Sequence, residues 1–119
     1  MMDAISIMKK VVKCADDKKA NDIKVLDIKD LTTIADYFVI CHGNSSSQMG
    51  AIFDEIEEKL KKEDGILMQN LSSHSSDQWL LMDYGDVIVH IFNAESREFY
   101  AIEHLWADAQ DIDISEFIS

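Results

Sequence analysis

The chain has 119 residues, 47% of them hydrophobic and 29% charged, a size and composition that predict one globular domain with its own core. Its 23 acidic and 11 basic residues give a formal net charge of −12, which argues against general binding to nucleic acid and favours a basic protein as partner. No apolar run is long enough to span a membrane, and Cys14 and Cys41 lack metal or redox spacing, so we expect reduced thiols, a cytoplasmic location and no membrane association.

The first half of the chain predicts a helix followed by two strands. Residues 3–20 carry apolar side chains at helical spacing. The segment 22–29 is short, rich in β-branched residues and followed by turn-like residues, which predicts a strand. The run 36–43 is almost continuously apolar up to Gly43, a pattern typical of a strand that is buried on both faces.

A helix with clear end signals comes next. Ser45 and Gln48 match a capping box, an apolar stripe follows, and Gly65 predicts the end of the helix. The apolar run 66–71 predicts a further strand, so the order strand, helix, strand predicts a parallel crossover. Residues 72–77 are polar and predict a surface loop.

The stretch "WLLMDYGDVIVHIF", residues 79–92, predicts a β-hairpin, since Gly85 can supply the positive φ of a tight turn. A turn at Tyr84-Gly85 would place three cross-strand pairs on one face: Asp83 opposite Asp86, Leu81 opposite Ile88, and Trp79 opposite His90. The alternate residues are all aliphatic, and that second face is expected to lie under helices.

The last predicted helix runs over 95–109 with Asn93 as its cap, and its inward stripe comprises Phe99, Ile102, Leu105, Trp106 and Ala109. The fold class is therefore α/β, with a single mixed sheet of about five strands and three helices. One domain is expected over 1–110, followed by an acidic tail over 111–119. Three helices suffice to cover one sheet face, so the mixed face of the hairpin is expected to stay open.

That mixed face has the composition of an interface, with an aromatic anchor, aliphatic residues and two carboxylates. Opposed aspartates repel each other. A lysine or arginine of a basic partner, or a divalent metal, would therefore relieve the repulsion between Asp83 and Asp86. Two alternatives stay open. Trp79 and His90 could form a satisfied core pair, and the aspartates could serve ordinary turn chemistry.

Catalytic arrangements are weakly supported. A nucleotidyltransferase site needs a Gly-Ser turn followed by a D-x-D strand, but Glu55 and Glu57 lie in a helical pattern where i,i+2 side chains diverge. The four histidines lack the clustered spacing of a zinc site. We expect no cofactor, no metal and no enzyme activity, with a metal-dependent nucleotidyl or phosphoryl transferase using Asp83 and Asp86 as the alternative.

Three segments, "LDIKDLTTIADYFVICHGNSS", "WLLMDYGDVIVHIF" and "REFYAIEHLWADA", resemble the ribosomal silencing factor family, also called Iojap. The resemblance runs over about 4–109. Ser72, Ser73 and His74 depart from the family's pattern before the tryptophan strand, which puts that loop in doubt.

The resemblance implies a non-enzymatic factor that binds the large ribosomal subunit through its fourteenth protein, sterically blocks association with the small subunit and represses translation. It also implies a nucleotidyltransferase-like sheet without the catalytic acids, and a homodimer when free. The expected partner-binding residues lie on the hairpin (Trp79, Leu81, Asp83, Tyr84, Asp86, Ile88 and His90) and on the last helix (Arg97, Tyr100 and Glu103). Trp106, Phe38 and Phe99 are expected in the core.

Overall fold

A computed structural model describes residues 3–69, 79–116 and 118. The α-helices are α1 (Ala4–Asp17), α2 (Ser46–Asp64), α3 (Ala94–Tyr100) and α4 (Ile102–Leu105). The strands are β1 (Asn21–Asp27), β2 (Tyr37–Gly43), β3 (Trp79–Asp83), β4 (Val87–Asn93) and β5 (Gln110–Ile112), and a 3-10 turn covers Ile114–Glu116. Among the described residues, no helix is long and apolar enough to cross a membrane.

The strands form one mixed sheet in the order β3-β4-β2-β1-β5. β2 and β4 are parallel, whereas the β3–β4, β1–β2 and β1–β5 pairs are antiparallel. The connection between the parallel strands contains α2 and then β3. The predicted fold class, a single mixed five-stranded sheet with helices, is confirmed.

The predicted ends of the second helix are also confirmed. Ser45 Oγ accepts a hydrogen bond from the Gln48 amide at 3.0 Å, and Gln48 Oε1 accepts from the Asn44 amide at 2.7 Å. Two amides that have no partner inside the helix are satisfied in this way. Gly65 follows the last turn with a φ of 68°, the left-handed conformation that a glycine C-cap supplies.

The prediction of a strand over 66–71 is wrong for 66–69, which form no strand. Residues 70 and 71 lie outside the described residues. The same holds for Ser72, Ser73 and His74, where the sequence departs from the family's pattern. Gln69 instead donates its amide to the Asp83 carbonyl at 2.8 Å. The fifth strand is β5, which pairs with β1. The predicted boundary between domain and tail therefore falls inside a strand.

The single helix predicted over 95–109 is wrong as well. Ala101 has a φ of 46°, a left-handed conformation that a helix interior cannot contain, and it separates α3 from α4. The expected apolar stripe does not survive this break: Ile102 is buried, whereas Phe99 is 81% exposed and Leu105 is 77% exposed.

Helices cover both faces of the sheet, so the expectation of one fully open face is wrong. α1 and α2 pack on the first face over a largely aliphatic cluster that includes Val39, Ile52, Ile56, Val89 and Ile91. α3 contacts β4 and β2 from the other side. There, Phe38, Ile40, Phe92 and Ile102 belong to a second, smaller cluster, against which Trp79 and Trp106 pack half-buried.

Candidate docking surface

The two faces of the hairpin are divided as the period-2 pattern predicts. Met82, Val89 and Ile91 belong to the aliphatic cluster under α1 and α2. Phe92 belongs to the second cluster and Ile88 packs against it. The alternation along the strands therefore predicted these faces correctly, whereas Tyr84 at the turn, predicted as a contact residue, is buried in the aliphatic cluster.

The predicted cross-strand pairs are wrong, because the turn lies one residue further along the chain. Trp79 pairs with Phe92, Leu81 with His90, and Asp83 with Ile88. The turn is closed by a hydrogen bond from the Tyr84 amide to the Val87 carbonyl at 2.9 Å. Gly85 is then the first central residue with a φ of 84°, which is where a tight hairpin turn requires a positive φ.

Asp83 and Asp86 are consequently not opposed. Asp83 Oδ1 accepts the Gly85 amide at 2.8 Å, an ordinary turn hydrogen bond. Asp86 lies in the turn, and its carbonyl accepts the Asp36 amide at 2.8 Å and the Tyr37 amide at 3.1 Å. The carboxylate pair that suggested a bound cation is absent from this register. Among the described residues, no group of three His, Cys, Asp or Glu side chains could hold a metal ion.

Aromatic rings form a continuous row across this side of the molecule. The row comprises Phe99, Tyr100, Trp79, His90, Phe38 and Trp106, in that order, with neighbouring ring centroids 4.7–5.8 Å apart. Phe92 lies against Trp79 at 4.9 Å. These separations are those of favourable tilted and edge-to-face contacts. The middle of the row is buried and both ends are accessible.

His90 is the polar member of this row. Its side chain is only 5% exposed, and Nδ1 accepts the indole N–H of Trp79 at 3.2 Å. Burial lowers the pKa of His90 to about 4, because the charged imidazolium would lose its hydration there. The predicted Trp79–His90 contact is present, although the two residues are diagonal neighbours.

We use the name docking surface for the apolar side chains that remain accessible on this side: Trp79, Leu81, Ile88, Phe99, Tyr100 and Leu105. Phe99 and Leu105 are largely exposed, Tyr100 is 42% exposed, and the three hairpin residues are half-buried. Exposed aromatic and aliphatic groups, here with Trp79, Tyr100 and Phe99 in mutual contact, are typical of a protein–protein interface.

Acidic residues border the docking surface on α3. Glu95 lines a cleft of about 400 Å³ together with Ser96, Phe99 and Tyr100. Glu95 and Glu98 are both exposed, and neither takes part in an ion pair between residues that the structure describes. This border favours a basic ligand.

Four predicted contact residues do not lie on this surface: His90, which is buried in the aromatic row, and Tyr84, Arg97 and Glu103. Tyr84 is buried in the aliphatic cluster. Arg97 is 6% exposed; its guanidinium binds Glu103 Oε2 at 2.9 Å and the Asp22 carbonyl at 2.6 Å. Arg97 lies on α3 and Glu103 on α4, on either side of Ala101, so this ion pair connects the two helices. The pair thereby holds α3, which carries Phe99 and Tyr100, and α4, which carries Leu105, in a fixed arrangement.

His42 completes the same polar cluster. Its Nδ1 lies 3.0 Å from Arg97 Nη1 and acts as the acceptor, because a guanidinium can only donate. Burial, followed by the charge of Arg97, lowers the pKa of His42. Sequence reasoning missed this role for Arg97, and it also missed the exposure of Phe99 and Leu105, since no glycine or proline marks the break at Ala101.

Comparisons with known proteins cover the whole chain. A family model described as "Ribosomal silencing factor during starvation" matches residues 1–119, including the C-terminal segment beyond the predicted resemblance. Ribosomal silencing factors of Bacillus subtilis and Halalkalibacterium halodurans are 42% and 40% identical to it over 113 residues; these alignments span 95% of this chain and 95% and 96% of the relatives. A crystal structure from Chromobacterium violaceum matches with a TM-score of 0.83 and 32% identity, over 96% of this chain and 93% of the other.

Proposed function

The chain belongs to the ribosomal silencing factor family, and from this premise we propose that it represses translation by binding the large ribosomal subunit through that subunit's fourteenth protein. Bound there, a domain of this size would sterically exclude the small subunit. The protein would act by occupying a binding site on the large subunit, which requires no catalytic reaction. We place this activity in the cytoplasm.

The observation that supports the proposal most strongly is the docking surface. Phe99 and Leu105 are more than three-quarters exposed, and Trp79 lies beside Tyr100 with ring centroids 4.9 Å apart. Exposed apolar side chains do not stabilise an isolated domain. A complex in which a partner covers them is stabilised by the apolar area that becomes buried. Trp79 is the proposed energetic centre, since a half-buried tryptophan backed by other rings is the usual form of an interface hot spot.

Charge supports a basic protein as the direct contact. The formal charge of −12 would attract a basic ribosomal protein, while rRNA phosphates repel the rest of the chain. Glu95 in the cleft and Glu98 on the same helix are exposed and make no ion pair with a described residue, so they add to this attraction. Asp83 and Asp86 lie at the hairpin turn and are proposed as the polar rim. We therefore propose contact with protein and no sequence-specific contact with nucleic acid.

We also propose that the free protein is a homodimer. The docking surface is apolar at its centre, and a second copy would bury the same side chains when no ribosome is available. Ribosome binding and self-association would then compete for Trp79 and its neighbours.

Co-sedimentation with purified large subunits, without added nucleotide, tests the proposal. Trp79→Ala is expected to weaken binding by about 2 kcal/mol, roughly 30-fold in Kd, because the hot spot is removed. Lys61→Ala, an exposed position on α2, is the matched control and should bind like the wild type.

Thermal unfolding of each variant separates loss of binding from loss of fold. If Trp79→Ala is unfolded, the exposed Phe99→Ala takes its place in the same assay. Wild-type protein that stays in the supernatant, or a Lys61→Ala loss equal to that of Trp79→Ala, would contradict the proposed function.

A further inference from the structure

His90 cannot itself touch a protein partner. Its side chain is 95% removed from solvent and lies between the rings of Phe38 and Phe92, with centroids at 4.7 and 6.2 Å. Its hydrogen bond goes to Trp79, a half-buried residue of the docking surface. Its hydrogen-bonded link to the docking surface is therefore Trp79.

The direction of this hydrogen bond is fixed by chemistry. An indole nitrogen can only donate, so His90 Nδ1 is the acceptor and the ring proton is on Nε2. That second nitrogen is buried and has no hydrogen-bond partner among the described residues. Burying an unpaired polar atom costs free energy that a phenylalanine in this aromatic surrounding would avoid. Packing alone therefore does not explain a histidine here.

The hydrogen bond selects one orientation of the Trp79 ring. The torsion that turns an indole about its Cβ–Cγ bond has broad minima, so ring contacts alone restrain it weakly. Phe92 and Tyr100 contact the indole in tilted arrangements, with centroids 4.9 Å away in both cases. Unlike these ring contacts, the bond to His90 distinguishes the edge of the indole that carries nitrogen from the opposite edge.

We propose that His90 is a positioning residue that holds the Trp79 indole in its binding orientation through the Nε1–H to Nδ1 hydrogen bond. This inference rests on the proposed function, because it takes Trp79 as the centre of the docking surface. An anchor that is ordered before binding loses less conformational entropy when the partner covers it. Burial lowers the pKa of His90 to about 4, so the acceptor stays neutral near pH 7.

Two substitutions at His90 separate hydrogen bonding from packing. His90→Phe keeps a ring in the buried row but removes the acceptor. His90→Asn keeps an acceptor near the Nδ1 position but loses most of the ring. We expect His90→Phe to weaken binding to large subunits about tenfold, and His90→Asn to bind more tightly than His90→Phe despite being less stable. A purely structural role predicts the reverse order, and that order would overturn the proposal.

A double-mutant cycle tests whether His90 acts through Trp79. Trp79→Phe removes the indole donor, so His90→Phe should have no further effect on Kd in that background. Equal losses from His90→Phe with and without the indole would overturn the proposal.

A spectroscopic measurement tests the orientation without a ribosome. The chain has two tryptophans, so Trp106→Phe leaves Trp79 as the sole indole. Its near-ultraviolet circular dichroism should lose at least half its intensity in His90→Phe and retain it in His90→Asn. Unchanged signals in both variants would overturn the positioning role even if wild-type protein binds ribosomes. A lost signal in protein that never binds ribosomes would support the positioning while refuting the proposed function.

Discussion

The two faces of the sheet differ in what covers them. Under α1 and α2, side chains such as Ile52, Val89 and Ile91 are completely buried in an aliphatic cluster. Under α3 and α4, the smaller core joins aliphatic side chains with Phe38 and Phe92. The aromatic row that crosses it stays accessible at its end, where Phe99 is 81% exposed. The first face is built for stability. The second has the features of a surface that another protein completes.

Helix length explains much of this difference. α1 and α2 have 14 and 19 residues, long enough for a continuous apolar stripe along the sheet. α3 and α4 have 7 and 4 residues and meet at the left-handed Ala101. Two short helices with a bend between them cannot cover the face, and the bend turns Phe99 and Leu105 outward.

The largest expected effect lies on the closed face. Ile52→Ala should lower the free energy of unfolding by about 2–5 kcal/mol, because it leaves a cavity beneath α2 that the packed cluster cannot fill. Equilibrium denaturation in guanidinium chloride measures the change. A loss below about 0.5 kcal/mol would mean that the two faces do not differ in how tightly they are packed.

The second effect concerns pH and belongs to the aromatic face. The pKa of His90 is about 4 in the folded chain and near 6.5 when unfolded, so between these values only the unfolded chain takes up the proton. Stability should therefore be constant above about pH 6.5 and fall by roughly 3 kcal/mol as the pH drops to about 4. His42, whose pKa is also lowered, acts in the same direction.

Unfolding free energies measured from pH 7 to 4 test this expectation, with His90→Phe as the matched variant. Removing the imidazole should flatten most of the slope in that window. A slope identical to that of the wild type would show that the aromatic face is open enough to solvate a charged His90.

The smallest effect on stability is expected at the exposed end of the aromatic row. Phe99→Ala and Leu105→Ala should each change the free energy of unfolding by less than about 0.5 kcal/mol, because their side chains are already in water. Each should nevertheless weaken binding to large subunits by about 1 kcal/mol, measured by co-sedimentation. Stability losses comparable to that of Ile52→Ala would place both residues in a core.

Sequence periodicity predicted those parts of the fold that depend on local rules. The caps at Ser45 and Gly65 follow from backbone hydrogen bonding, and the division of the hairpin into two faces follows from strand geometry. The composition of the mixed face also predicts that Trp79 and His90 are neighbours on it, and they are. These predictions need no knowledge of distant contacts.

The remaining features depend on contacts that the sequence does not encode locally. Both Tyr84-Gly85 and Gly85-Asp86 are acceptable turns, so the pattern could not choose the register. The break at Ala101 is held by Arg97, which reaches Glu103 and the start of β1. β5 is three residues long and exists through its pairing with β1, which no periodic signal in 110–112 announces.

Light scattering of purified large and small subunits as they associate tests the central claim most directly. Wild-type protein should reduce the association amplitude in a dose-dependent way, Lys61→Ala should match it, and Trp79→Ala should require roughly 30-fold more protein for the same effect. Unchanged association at concentrations that saturate the large subunit would contradict the account, as would equal inhibition by the wild type and Trp79→Ala.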